Sequence, residues 1–193
     1  MGTRHLTLVC SKGQYRICQY GQWDGQPGGQ GLTCLHFLFD AQNIINLRKV
    51  LDHSETCIIV INDEERTAYF KDLQRQQHEA GTSFLDFPGE ESLSRDTGAN
   101  ILNVVARATP EESVKIHLWE MEFLHDSVHL EWAWVVDFDS KVLEGYTYWP
   151  HHKGLDEKSR FAGVLGSVKP LPGFQSEHQW IRPRSIGKPW GKS

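Results

Sequence analysis

Residues 131–148 read EWAWVVDFDSKVLEGYTY. Trp132, Trp134, Val136 and Phe138 alternate with Ala133, Val135, Asp137 and Asp139, the period of two that sends neighbouring side chains to opposite faces of a strand. Asp139-Ser140-Lys141 interrupts the run with turn-forming residues, and Val142 begins a return. The stretch predicts a β-hairpin with one apolar face. Such a hairpin is not stable alone and needs further strands or helices to cover it.

The partner strands are found at the other end of the chain. LTLVC (6–10) and QYRICQY (14–20) are rich in β-formers and flank Ser11-Lys12-Gly13, a turn signal. This predicts a second hairpin. The middle of the chain is predominantly helical in pattern. Leu35, Leu38 and Phe39 form a helical stripe, and Asn43–Leu51 continues it. TCIIVI (56–61) is short, apolar and compatible with strand or helix. Asp63–Ala80 opens on acids and is followed by Gly81, a helix with both ends signalled. A further helix uses Ile101, Val104, Val105 and Ala108, with Ser92 or Ser94 as its expected cap and Pro110 as its stop. Residues 111–125 mix both periods. The expected architecture is α+β: one antiparallel sheet from hairpins at about 4–20 and 131–148, covered by the helical middle segment.

Length and charge bound the rest. The 193 residues suffice for one domain with a core, and the net charge is −5. Residues 150–193 hold eight lysines and arginines against three acids, a net of +5 that leaves −10 for the rest. The expected organisation is a single acidic domain, 1–149, and a basic, Gly/Pro-rich, partly ordered tail, 150–193. Cys10, Cys18, Cys34 and Cys57 lack C-x-x-C spacing, which speaks against a zinc site. A tight hairpin turn would set Cys10 opposite Tyr15 and Cys18 opposite Thr7, on opposite faces, so no bridge is expected. No apolar run approaches the roughly 18 residues of a membrane span, and no secretory leader pattern is visible. The expected location is the cytoplasm, with no membrane partner.

Four blocks stand out: MGTRHL (1–6), QYGQWDGQPGGQG (19–31), SRDTGA (94–99) and WAWVVDFDSKVLEGY (132–146). Together they resemble a family of small uncharacterised proteins of fungi, bacteria and phages, marked by a Met-Gly-Thr-Arg start and a Gln-Tyr-x-Gln-Trp-Asp-Gly loop. The resemblance spans roughly residues 1–148 and implies no activity.

The glycine-rich block raises the question of a phosphate loop. It lacks G-x-x-x-x-G-K-[ST], and Gly29-Gln30-Gly31 only begins a G-x-G-x-x-G, with Cys34 where the third glycine belongs. It reads instead as a tight strand-to-helix connection in which Asp24 bonds nearby amides. SRDTGA reads first as capping chemistry. Arg4, Trp23, Asp24, Arg95 and Asp96 are the candidate binding residues: complementary charges with one stacking face. The favoured function is a non-enzymatic binding or interaction domain for an unknown protein or a small anionic or polar ligand. The alternatives are a hydrolase using the same Asp/Arg cluster, or an N-terminal-nucleophile amide hydrolase. The latter needs Thr3 exposed by removal of Met1 and Gly2. No cofactor and no metal are expected. His125 and His129, four apart, flank a strand entry, His151-His152 is adjacent, and Asp137 with Asp139 reads as a pair of solvated turn carboxylates. Trp180, Arg182, Arg184, Lys188 and Trp190 mix aromatics and cations as single-strand nucleic-acid grooves do, but a tail lying on the acidic body is the favoured reading.

Overall fold

The computed structural model describes residues 2–81, 89–118, 123–124, 129–148 and 168–170. The expected hairpins form as β1 (His5–Ser11) with β2 (Gln14–Gly21), and β5 (Trp132–Asp137) with β6 (Val142–Tyr148). Each is antiparallel. They join through β1 and β5, which run parallel, His5 beside Trp132 and Cys10 beside Asp137. The sheet is therefore mixed, in the order β2-β1-β5-β6 with one further strand beyond β6, not wholly antiparallel as expected. The edge strand β7 (Val168–Pro170) comes from the C-terminal region and pairs with β6. The α+β class stands.

The helical middle supplies α1 (Leu32–Phe39), α2 (Ala41–Asp52), α3 (Ser54–Cys57), α4 (Asp63–Ala80) and α5 (Ile101–Ala106). The ambiguous run divides: α3 takes its start, and Ile58–Ile61 becomes β3, paired in parallel with β4 (Val114–His117). Local chemistry fixes α4. Asn62 accepts from the Glu65 amide, the Glu65 carboxylate accepts from the Asn62 amide, and Gly81 closes the helix in the left-handed region. The helix α5 starts later than the serines suggested. Ser92 and Ser94 do not cap it; two 3-10 turns, Glu91–Leu93 and Gly98–Asn100, take up that stretch.

Both faces of the sheet are buried, which corrects the expectation of a single apolar face. Val9, Ile17, Trp134 and Val136 meet the apolar sides of α1, α2 and α5. Leu6, Leu8, Cys18, Ala133, Val135 and Tyr146 form a second core with Leu124 and Leu130. Each fully buried leucine contributes about 1.5–3 kcal/mol, so alternate residues of β1 and β5 stabilise two layers at once. A bulge between Val9 and Cys10 shifts the first hairpin. Cys10 does face Tyr15, but Cys18 faces Leu8 rather than Thr7. All four cysteines are free and buried.

Candidate functional site

The five candidate residues lie on three segments that meet at one end of β1 and β2. The carbonyl of Thr3 accepts from the Gly25 amide at 2.9 Å, and the Gln22 amide donates to the Arg95 carbonyl at 3.0 Å. The Trp23 indole Nε1 donates to Asp96 Oδ1 at 3.0 Å. Trp23 is nonetheless 50% exposed, so one indole edge is held and much of the ring is open to solvent. Arg95, Asp96 and Asp24 are exposed. Arg4 is committed through its main chain. Its amide donates to Glu131 Oε1 at 3.3 Å, and its carbonyl accepts from Glu131 and Trp132 at 3.1 and 3.2 Å.

The loop does not work as its glycines first suggest. Asp24 adopts a left-handed backbone (φ 55°), a conformation that short polar residues tolerate best after glycine. Its bond to a nearby amide runs through the main chain, the Asp24 carbonyl accepting from Gln30 at 2.8 Å, rather than through the carboxylate. Pro27–Gly31 then forms a π-helical turn into α1. The loop wraps the buried Trp134: its indole donates to the Gly25 carbonyl at 2.8 Å, and a Cβ at Gly31 would lie 2.6 Å from its ring.

Beneath the three segments lies a residue that sequence patterning passes over. His5 is fully buried. By strict hydrogen-bond geometry neither ring nitrogen has a partner, nor does the buried hydroxyl of Thr7, two residues along the same face; the one hydrogen-bonding influence on the ring comes from the Thr3 backbone. Burial lowers the His5 pKa from 6.5 to about 4, against smaller opposing pulls from the nearby Thr3 backbone and the Asp24 carboxylate. The imidazole is therefore neutral at ordinary pH. It fits only because three segments offer glycine. A Cβ at Gly21 would lie 2.0 Å from Cε1, one at Gly25 2.8 Å from the His5 Cβ, and one at Gly98 2.9 Å from Nε2. The only sequence signal is the coincidence of a strand histidine with glycine directly across the ladder, His5 opposite Gly21.

The other titratable clusters are occupied structurally. The ligand atoms of Cys10, Asp137 and Asp139 lie within 4.8 Å of one another. The Asp139 carboxylate accepts from the Lys12 and Gly13 amides, both at 2.8 Å, and Asp137 Oδ1 accepts from Asp139 and Ser140. These groups lock two hairpin turns together. Asp137 is buried, not solvated as expected. Burial pushes the Cys34 thiol up to about 12, which removes it as a nucleophile. A separate cavity of about 480 Å³ lies between α2 and α5, with Lys49, His53 and Arg107 in its wall. It shares no residue with the Trp23 segments. His125, His151, His152 and the tail residues Trp180, Arg182, Arg184, Lys188 and Trp190 fall outside the described residues. Among the described residues no helix is long and apolar enough to cross a membrane.

In comparison with known proteins, no protein-family model matches this chain, and no curated protein or solved structure shows a significant likeness to it.

Proposed function

We propose that the protein is a non-enzymatic recognition domain whose site is formed by residues 2–4, 22–25 and 94–98. The observation that supports this reading is the Trp23–Asp96 bond. It fixes a half-exposed indole beside Arg95, Asp96 and Asp24, giving a stacking face ringed by both signs of charge. Such a surface suits a small polar or anionic ligand. Hydrolysis is less well supported, since Asp24 and Asp96 are open to solvent and a general acid works best where burial tunes it. For an N-terminal nucleophile, removal of Gly2 would strip the backbone that packs against Gln22 and Trp23. Recognition belongs to residues 1–149. The four free thiols suit a reducing cytoplasm.

The experiment is a titration of the full chain, followed through the Trp23 indole N–H by NMR, with amino acids, carboxamides, sugars and nucleotides in turn. A binding ligand is expected to shift that resonance saturably, and Trp23→Leu to abolish the accompanying shifts of the backbone amides of residues 22–25 and 94–98. Saturable shifts confined to other regions, or no shift from any class, count against the reading.

A further inference from the structure

A buried histidine with two unpartnered nitrogens is expensive. Each unmet buried polar group costs about 1–3 kcal/mol, a cost that an apolar side chain at this position would not carry. The slot around His5 is nonetheless specific. Gly21 from β2, Gly25 from the loop and Gly98 from the 94–98 turn each leave out a Cβ where the imidazole lies. Gly98 also holds a left-handed backbone, φ 50°. Beside His5 on the same strand face is the unpartnered Thr7 hydroxyl. Gln30 reaches the same point: its Oε1 would lie 2.7 Å from a Cβ at Gly98 and accepts from the Ala99 amide at 2.8 Å.

Nε2 lies between Gly21, where a Cβ would come within 2.3 Å of it, and Gly98, which ends the turn Arg95–Gly98. Arg95 and Asp96 at its tip are exposed. On the loop side that tip is held by the Trp23–Asp96 bond and the Gln22–Arg95 main-chain bond. Both can be released without disturbing Gly25, which is anchored separately to Thr3 and Trp134. The tip of the cover is thus latched by groups at the surface, its two ends are held by Gln19 donating to the Ser94 carbonyl at 3.0 Å and by Gln30 accepting from the Ala99 amide, and beneath Gly98 lies the uncharged imidazole.

We propose that His5 is the ligand-reading residue of a site closed by the Arg95–Gly98 turn and latched by Trp23 and Asp96, and that the site takes an uncharged planar carboxamide. The ligand class follows from the lining. The neutral imidazole and the Thr7 hydroxyl each donate and accept, so a carboxamide, with both functions in one plane, satisfies them together. An anion would lose its hydration near the Asp24 carboxylate, with no positive charge shown in the slot to replace it. The flat glycine walls favour a planar group over a bulky one. The proposal rests on the recognition reading above and adds to it the buried reader and the ligand class.

The test is carbethoxylation of His5 by diethyl pyrocarbonate in the full chain, located by peptide mass, with acetamide as the competing carboxamide. His5 is expected to react slowly in the native protein. Asp96→Ala, which changes only an exposed side chain, should raise the rate roughly tenfold, about the worth of one hydrogen bond to a charged group. Acetamide should slow the reaction saturably in both proteins, and acetate at equal concentration should not. His5→Phe should lose the acetamide-induced shift of the Trp23 indole, whereas a mere space-filling role would leave that shift intact. A His5 rate unchanged by Asp96→Ala, or unaffected by acetamide, overturns the proposal. If another ligand shifts Trp23 while His5 stays unprotected by acetamide, the buried reader fails and the surface recognition reading stands. If no ligand shifts Trp23, both fail.

Discussion

Gly21 has His5 as its cross-strand neighbour, and the imidazole lies where any other side chain would begin. Gly21→Ala should therefore destabilise the fold by about 1–3 kcal/mol through overpacking, read from the urea midpoint. His5→Ala should relieve most of that loss in the double variant, because the two residues share one space. The pH dependence follows from the same ring. The folded His5 resists protonation down to about pH 4, whereas the unfolded chain takes up its proton near 6.5. Stability is full above pH 6.5 and falls by roughly 3 kcal/mol as the pH drops to 4. Urea midpoints across that range should show the slope, and His5→Phe should flatten it. His117, also held below its ordinary value by burial and by Arg66, adds a slope of the same sign. Trp23, Asp24, Arg95 and Asp96 were legible in the sequence as clustered polar residues among glycines. Their neighbour His5 was not, because its burial depends on glycines from three separated segments, and no local period records that.

The elements best foretold are those whose ends are written locally. The capping box of Asn62 and Glu65 and the left-handed Gly81 define α4 within its own residues; Asn62→Ala should cost about 1 kcal/mol, seen as lost helical ellipticity on heating. The start of α5 was misjudged because Ser94 spends its hydroxyl on the Asp96 amide, and Thr97 donates to the Glu91 carbonyl. Turn bonding won over helix capping there. The parallel junction of β1 and β5 was illegible for another reason. Alternation says which face a residue takes, but not which strand lies beside it. A side-chain device that ties the two hairpin turns is Asp139, accepting from Lys12 and Gly13. Asp139→Ala should lower stability by about 1–3 kcal/mol and speed amide exchange at Lys12 and Gly13.

For the whole molecule, the sheet's two buried faces matter more than its strand count. β1 feeds Val9 into one core and Leu6 and Leu8 into the other, so neither layer closes without it. A chain ending at residue 130 should lack dispersed amide resonances altogether, rather than form a smaller folded unit. The same topology sets a timetable for synthesis. The central ladder joins residues as far apart as Arg4 and Glu131, 127 positions along the chain. At about 5–20 residues per second, the ribosome needs on the order of ten seconds to make that span. Through that interval the first hairpin waits with its inner edge unpaired, an open template for any passing strand. Chaperone occupancy during translation should therefore fall sharply only once β5 has left the exit tunnel.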